Sequence, residues 1–196
     1  EARAEVVTAV LELERIGREK GVDVAKLNGT WELVYSSVEA FRSSPFFWAF
    51  QEGLLAGNVN LASAIFAYTD SVPGATIGSA RQTIDTSFGT LVSEVDLTVT
   101  PLPGLPGASG AVVTGCDIDA SSGDGRLVVT VTDTRVSGSN VAGQLLDQLS
   151  VPVKDIFEAL RGSGAARTEV TTTYLDDTLR VMRVLPNKEL FVYRRV

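Results

Sequence analysis

LNGTWELVYSS, residues 27–37, decides how this chain is read. A Gly-Thr-Trp opens a segment of alternating character. Trp31, Leu33 and Tyr35 fall on one face of a strand, and Glu32, Val34 and Ser36 on the other. A matching segment lies at the far end of the sequence. TTYLDDTLRVMRVLPNKELFVYRR, residues 172–195, reads as two or three strands that turn near Asp176-Asp177 and Pro186-Asn187. A first strand opened by Gly-x-Trp, and last strands rich in arginine, predict a closed barrel whose first and last strands meet. Such a barrel holds its own side chains or one apolar ligand.

Arginine over the indole of Trp31 would plug one barrel end through cation–π attraction. The candidates are Arg180, Arg183, Arg194 and Arg195. Alternation puts Arg180 and Arg183 on opposite faces of a regular strand, and the expected partner of Trp31 is Arg183.

Between the two ends, helical and extended patterns are mixed. Residues 1–20 predict an amphipathic helix with Val6, Val10, Leu13 and Gly17 on one stripe, stopping at Gly21. Ser44-Pro45 fits a helix start, with Ser44 as N-cap and Pro45 in the first turn. Phe46, Phe47, Trp48 and Phe50 follow, and with Phe41 they place five aromatic side chains within ten residues. That density crowds more than one helix face. The cluster is either core or a surface for something apolar, and Phe46, Phe47, Trp48 and Phe50 are the candidate lipid-contacting residues.

Residues 61–68 predict further helical turns. Strands are expected from Thr76 onward, over 91–99, 111–119 and 126–135. Residues 101–110 predict a Pro/Gly-rich loop, residues 141–161 a helix interrupted at Pro152, and residues 162–167 a linker. No repeat or boundary divides the chain. It reads as a single domain over 1–196, with an N-terminal helix over 1–26 and a barrel with inserted helices over 27–196.

Composition narrows the chemistry. The 24 acidic against 17 basic residues leave a net charge of −7, which disfavours a nucleic-acid partner. There is no histidine, so the usual neutral-pH base and the commonest metal ligand are missing. Cys116 is the only cysteine and reads as a small buried residue. Asp117, Asp119 and Asp124 fail the calcium-loop spacing and read as a turn. Asp176-Asp177 reads as a turn with backbone capping. Asn28-Gly29-Thr30 matches a glycosylation sequon, which matters only in a secreted protein. No catalytic residue, no metal site and no cofactor are expected. No stretch approaches a transmembrane span, and no targeting peptide is visible in this chain.

These segments also carry a family likeness. The chain resembles the plastid lipid-associated proteins, also called fibrillins or plastoglobulins, in LNGTWELVYSS, FRSSPFFWAF, TDSVPGATIGSARQTID, SEVDL, TTYLDDTLRVMR and ELFVYRR, in that order. The resemblance implies an α+β, mainly β fold: a lipocalin-like antiparallel barrel with flanking helices. It implies residence in chloroplasts, at plastoglobule or thylakoid lipid surfaces, and association with a carotenoid, quinone or tocopherol. It supplies no catalytic residue. Protein partners in thylakoids or in prenyl-lipid synthesis are implied for some members, so an interaction protein docking such an enzyme or a photosynthetic complex is the second expectation. A lipid-modifying enzyme is the third, disfavoured by the absence of histidine.

Overall fold

A computed structural model of the chain describes residues 2–38, 40–50, 75–99, 108–140, 150–184 and 188–196. Nine strands are present among them: β1 (Gly29–Ser36), β2 (Ala75–Asp85), β3 (Thr90–Val99), β4 (Ala108–Asp119), β5 (Arg126–Ser137), β6 (Ser150–Val151), β7 (Arg167–Leu175), β8 (Leu179–Val184) and β9 (Glu189–Arg195). All pairings are antiparallel. The wall runs β4-β3-β2-β1-β9-β8-β7-β5, and β4 pairs with β5 to close it, making an eight-stranded barrel. The two-residue β6 lies beside β5 at Thr134 and Arg135, where β7 no longer reaches. The first and last strands meet, with Trp31 opposite Arg195 and Glu32 opposite Arg194. Closure leaves the long strands without the unpaired edges that invite association.

Side-chain alternation sorts the wall into two faces. On β8, Met182 and Val184 enter the interior core while Leu179 and Val181 pack outside. Trp31, Ile84, Leu91, Cys116, Leu127, Val129, Phe191 and Tyr193 also fill the interior. Tyr35 departs from the expected face. A register shift between Leu33 and Tyr35 leaves Leu33 with the interior core and sends Tyr35 to the outer cluster. One irregular residue reverses alternation beyond it.

That outer cluster lies under helix α1 (Ala2–Lys20). Val10 packs with Val181, Leu190 and Val192. Val6 stays exposed, and the contact stripe is Val10, Glu14 and Gly17. A Cβ at Gly17 would lie 2.0 Å from the Thr173 carbonyl oxygen, so only glycine lets the helix approach the wall this closely. Two other helices pack into the interior core: α2 (Pro45–Ala49) through Trp48 and Ala49, and α3 (Val153–Arg161) through Val153 and Phe157. Ser44 precedes α2 but makes no side-chain cap; its hydroxyl instead meets Thr114 Oγ1 at 3.2 Å.

Other sequence expectations shift at their edges. β4 begins at Ala108, inside the stretch expected to be loop, and residues 101–107 lie outside the described residues. The expected turns at 61–68 and the helical stretch over 141–149 also lie outside them. The expected linker holds a turn ending in Ala166, which is fully buried, before β7 starts.

The β7–β8 turn is held by Asp176. Its carboxylate accepts the backbone N–H of Thr178 and Leu179, both at 2.7 Å, and the Tyr174 hydroxyl at 2.7 Å. Burial alone would raise this carboxyl, but the donated hydrogen bonds outweigh it and bring its pKa down to about 2. A depressed carboxylate stabilises the fold above its unfolded pKa, near about 4. That stabilisation is lost as pH falls through about 2. The urea-midpoint gap between wild type and Asp176→Asn should therefore be widest above about pH 4 and shrink toward pH 2. A gap constant with pH would contradict this account of the turn.

Candidate functional site

The barrel floor is built on Trp31. The indole is fully buried, and its Nε1–H donates to the Leu27 carbonyl at 2.8 Å. Leu27 ends a 3-10 turn, Val24–Leu27, that Asp23 caps through the Ala25 N–H. The guanidinium over the indole belongs to Arg195, 4.2 Å from the ring centroid. Arg195 also donates to the carbonyls of Asp177 at 2.9 Å, Asn28 at 2.6 Å and Lys26. One side chain thus ties the 3-10 turn, the start of β1 and the β7–β8 turn across the end of the barrel. Gly29 is fitted to it. Its φ is +122°, and a Cβ there would lie 2.5 Å from Arg195 Nη1. The Gly-Thr-Trp signature therefore contains a position strained for any side chain, two residues before the indole that the arginine covers.

Arg183, the partner expected from the sequence, is elsewhere. It points outward, donating from Nε and Nη2 to the Glu14 carboxylate of α1 at 2.6 and 3.0 Å. Thr173 Oγ1 adds a third bond to Glu14 at 2.9 Å. Burial pushes the Glu14 carboxyl up, but Arg183 and Thr173 outweigh it and leave it below its ordinary value. The correction follows from parity: on β8 the even-numbered residues face inward, so Arg183 faces α1.

The aromatic cluster divides. Trp48 is 2% exposed, donates from Nε1 to the Arg42 carbonyl at 2.8 Å and packs against Phe191, so it is a core residue in this conformation. Phe46, Phe47 and Phe50 are half-buried. Phe46 and Phe50 both lie against Phe157 of α3, with ring centroids 6.3 and 6.5 Å away. On α3, Val153 and Phe157 turn inward, while Ile156 and Leu160 are exposed, Leu160 by 64%.

Sequence reasoning missed a polar cluster inside the barrel. Arg180 of β8 is 0% exposed. Its Nη1 crosses the interior to donate to Gln82 Oε1 of β2 at 3.1 Å, and Gln82 Nε2 donates to the Ser43 carbonyl at 3.1 Å. Arg180 Nη2 reaches only the thioether sulfur of Met182, at 3.0 Å, and the guanidinium carbon sits 5.3 Å from the Tyr193 ring centroid. Ser43, Ser44, Ser93 and Thr114 are buried around this pair. Burial lowers the Arg180 pKa to about 10, so it keeps its charge at neutral pH. The same burial pushes the Tyr193 phenol up, beyond its ordinary range. The available signal was the parity of β8 itself, which placed Arg180 opposite Arg183 and so inside.

The remaining candidates have local roles. Asp119 caps the Ser121 N–H at 2.9 Å, and Asp124 accepts from Ser122 Oγ at 2.7 Å and the Arg126 N–H at 3.0 Å. Asn28 Oδ1 accepts from Thr86 N–H and Oγ1, holding the β2–β3 turn to the floor. Cys116 is buried in the core, and burial, with Asp133 and Asp117 nearby, pushes its thiol well above the ordinary range. Among the described residues no group of three carboxylates or thiols is gathered to hold a metal, and no helix is long and apolar enough to cross a membrane.

At the end of the barrel away from Trp31, a hollow of about 130 Å³ is lined by Leu97, Gly110, Ala111, Val112 and Val136. A closed eight-stranded antiparallel wall with a Gly-x-Trp/Arg floor, a mainly apolar interior and flanking helices defines a lipocalin-like barrel. The PAP_fibrillin family model matches residues 1–193, and the chain belongs to that family, the plastid lipid-associated proteins or fibrillins. No curated protein matches the chain.

Arg195→Ala removes the indole stack and three carbonyl contacts at once. It should lower stability by about 2–4 kcal/mol, read from urea unfolding. Gly29→Ala should cost about 1–3 kcal/mol from backbone strain and should be partly relieved in the Arg195→Ala background. Strict additivity of the two would show that Gly29 and Arg195 are not fitted to each other.

Proposed function

We propose that this is a non-catalytic lipid-associated protein of plastids, acting at the lipid surface of plastoglobules or thylakoids. Its lipids are apolar, of the carotenoid, quinone or tocopherol type. The observation that carries the reading is the family match over residues 1–193 laid on a closed barrel. The surface supports it. Ile156 and Leu160 are exposed one turn apart on α3, backed by the bank of Phe157, Phe46 and Phe50. Charged Lys154, Asp155, Glu158 and Arg161 flank them, the arrangement of a helix that lies at a lipid–water boundary. Phe47, beside Phe46, extends the same apolar region.

A second reading is a docking protein for a prenyl-lipid enzyme or a photosynthetic complex. The specific observation in its favour is the packed interior: Trp48 and Phe191 fill space that a large ligand would otherwise take.

Flotation with liposomes of plastid galactolipid composition separates the two. Each apolar side chain moved into lipid contributes about 1.5–3 kcal/mol, so the double variant Ile156→Ser/Leu160→Ser should lose at least about tenfold in bound fraction. Phe47→Ser should lose less. Circular dichroism should be unchanged, because both α3 residues lie outside the core. Full retention of flotation by the double variant would reject α3 as the lipid-facing element. Failure of the wild type to float, with no lipid in extracts of the natively purified protein, would favour docking.

A further inference from the structure

The barrel interior contains a full positive charge and, among the described residues, no negative one beside it. Glutamine oxygen, a thioether and an aromatic face are the neighbours of Arg180. A buried ion normally has a counter-ion, because neutral dipoles replace its lost hydration poorly. The unmet donors lie together. Arg180 Nε has no partner among the described residues, and Nη2 has only sulfur, a weak acceptor. Nε and Nη2 form one edge of the guanidinium, the edge that takes a carboxylate through two parallel hydrogen bonds.

The adjoining positions have unmet polar atoms as well. Thr172 Oγ1 and Ser93 Oγ are buried without partners among the described residues, and the Tyr193 hydroxyl lies near the Ser43 side chain without a well-formed hydrogen bond. Register places Tyr193 opposite Arg180, Thr172 opposite Met182 and Ser93 opposite Gln82. Three hydroxyls and one guanidinium edge therefore surround the same level of the barrel. This is a surplus of donors in a closed, low-dielectric space.

Above this level the hollow is mainly apolar, with Ser109 and Ser139 also in its lining. Thr114 holds Ser44, and two residues along β4 Val112 lines the hollow shared with Leu97 and Val136. Residues 43–49 are attached to the wall near both the hollow and Arg180. They are fastened by Gln82 to the Ser43 carbonyl, by Ser44 to Thr114, and by Trp48 to the Arg42 carbonyl. The Arg42–Glu189 ion pair, 2.6 Å long, anchors the preceding turn to β9.

We propose that the barrel binds a single-chain lipid carboxylate, with the anionic head on the Nε–Nη2 edge of Arg180 and the chain directed toward the Leu97–Val136 hollow, residues 43–49 forming a plug that the chain displaces. The proposal rests on the lipid-associated reading and narrows its ligand to an anionic amphiphile. Tyr193 is the second head-group donor, and Trp48 is the side chain that moves.

Calorimetric titration of the full chain with dodecanoate and with dodecanol, each below its aggregation limit, tests this. Dodecanoate should bind wild type at least tenfold more tightly than the alcohol. Arg180→Met should bring the ratio to within about twofold, mainly by weakening the carboxylate. Tyr193→Phe should reduce it about threefold, and Arg15→Met, on the solvent face of α1, should leave it unchanged. Arg180→Met without ligand should have an unchanged or higher melting temperature, since a buried charge has gone; a purely structural arginine would lower it. Should Arg180→Met not fold, the wild-type ratio and Tyr193→Phe decide. Dodecanoate should also shift tryptophan emission to the red in the full chain, because Trp48 moves while Trp31 stays sealed in the floor.

A wild-type ratio near one, or a tenfold preference that survives Arg180→Met, would overturn the proposal. Equal tight binding of acid and alcohol would leave the lipid reading standing and remove only the anion site. Binding of neither, with liposome flotation intact, would limit lipid contact to the surface and reject the interior site.

Discussion

The stack of Arg195 on Trp31 is the constraint around which the rest of this protein is arranged. It joins the first strand to the last, fixes the 3-10 turn beneath them and crowds the space beside Gly29. The attraction between a guanidinium and an indole face is modest in water, about 0.5–2 kcal/mol, and larger where solvent is excluded. Its structural influence exceeds that value because the same guanidinium satisfies carbonyls from three separate segments. With the floor closed, alternation along each strand decides which side chains become core. The turn at Asp176 then aligns β8 so that even positions face inward and odd positions face α1.

Two arginines on that strand show how environment separates residues of one type. Arg183, outside, finds a carboxylate: Glu14 is 4% exposed, and the pair is bidentate with a threonine completing it. Removing either member would leave the other charged and poorly solvated. Arg180, three residues earlier and inside, has neutral neighbours only among the described residues. The outer pair has the features of an architectural contact, fixing α1 on the wall at the point where Gly17 approaches Thr173. The inner one has no such justification in the packing around it.

Much of the architecture was legible in the sequence, and the failures have specific causes. Gly-Thr-Trp and the arginine-rich closing strands announced the barrel and the meeting of its ends, because a period of two survives wherever one face is apolar. The choice of stacking arginine went wrong because parity excludes candidates without ranking them. Four arginines were available, and only the register between β1 and β9 puts Arg195 opposite Trp31. Tyr35 was assigned to the wrong face because a one-residue register shift carries no composition signal. Ser44 had the residue type and position of a cap, but a hydroxyl partner on β4 competed for it. The buried polar level escaped because Gln82, Ser93 and Thr114 are residue types that composition does not assign to a core, although Ser93 shares the face of Leu91 and Val95.

The wall also determines when the fold can be completed. β1 receives β2 on one edge and β9 on the other, and β9 is the last strand in chain order. During synthesis the other strands emerge before the one that seals them, so the nascent sheet has two exposed edges and an uncovered Trp31 until residues 189–195 leave the ribosome. Contacts so distant in sequence form late, after the loop entropy of the intervening chain has been overcome. An unsealed sheet with apolar faces is a ready client for chaperones and for pairing with its own copies. The short stretch ELFVYRR is therefore a folding checkpoint: until it pairs, the seam of the wall stays open and the sheet stays adhesive.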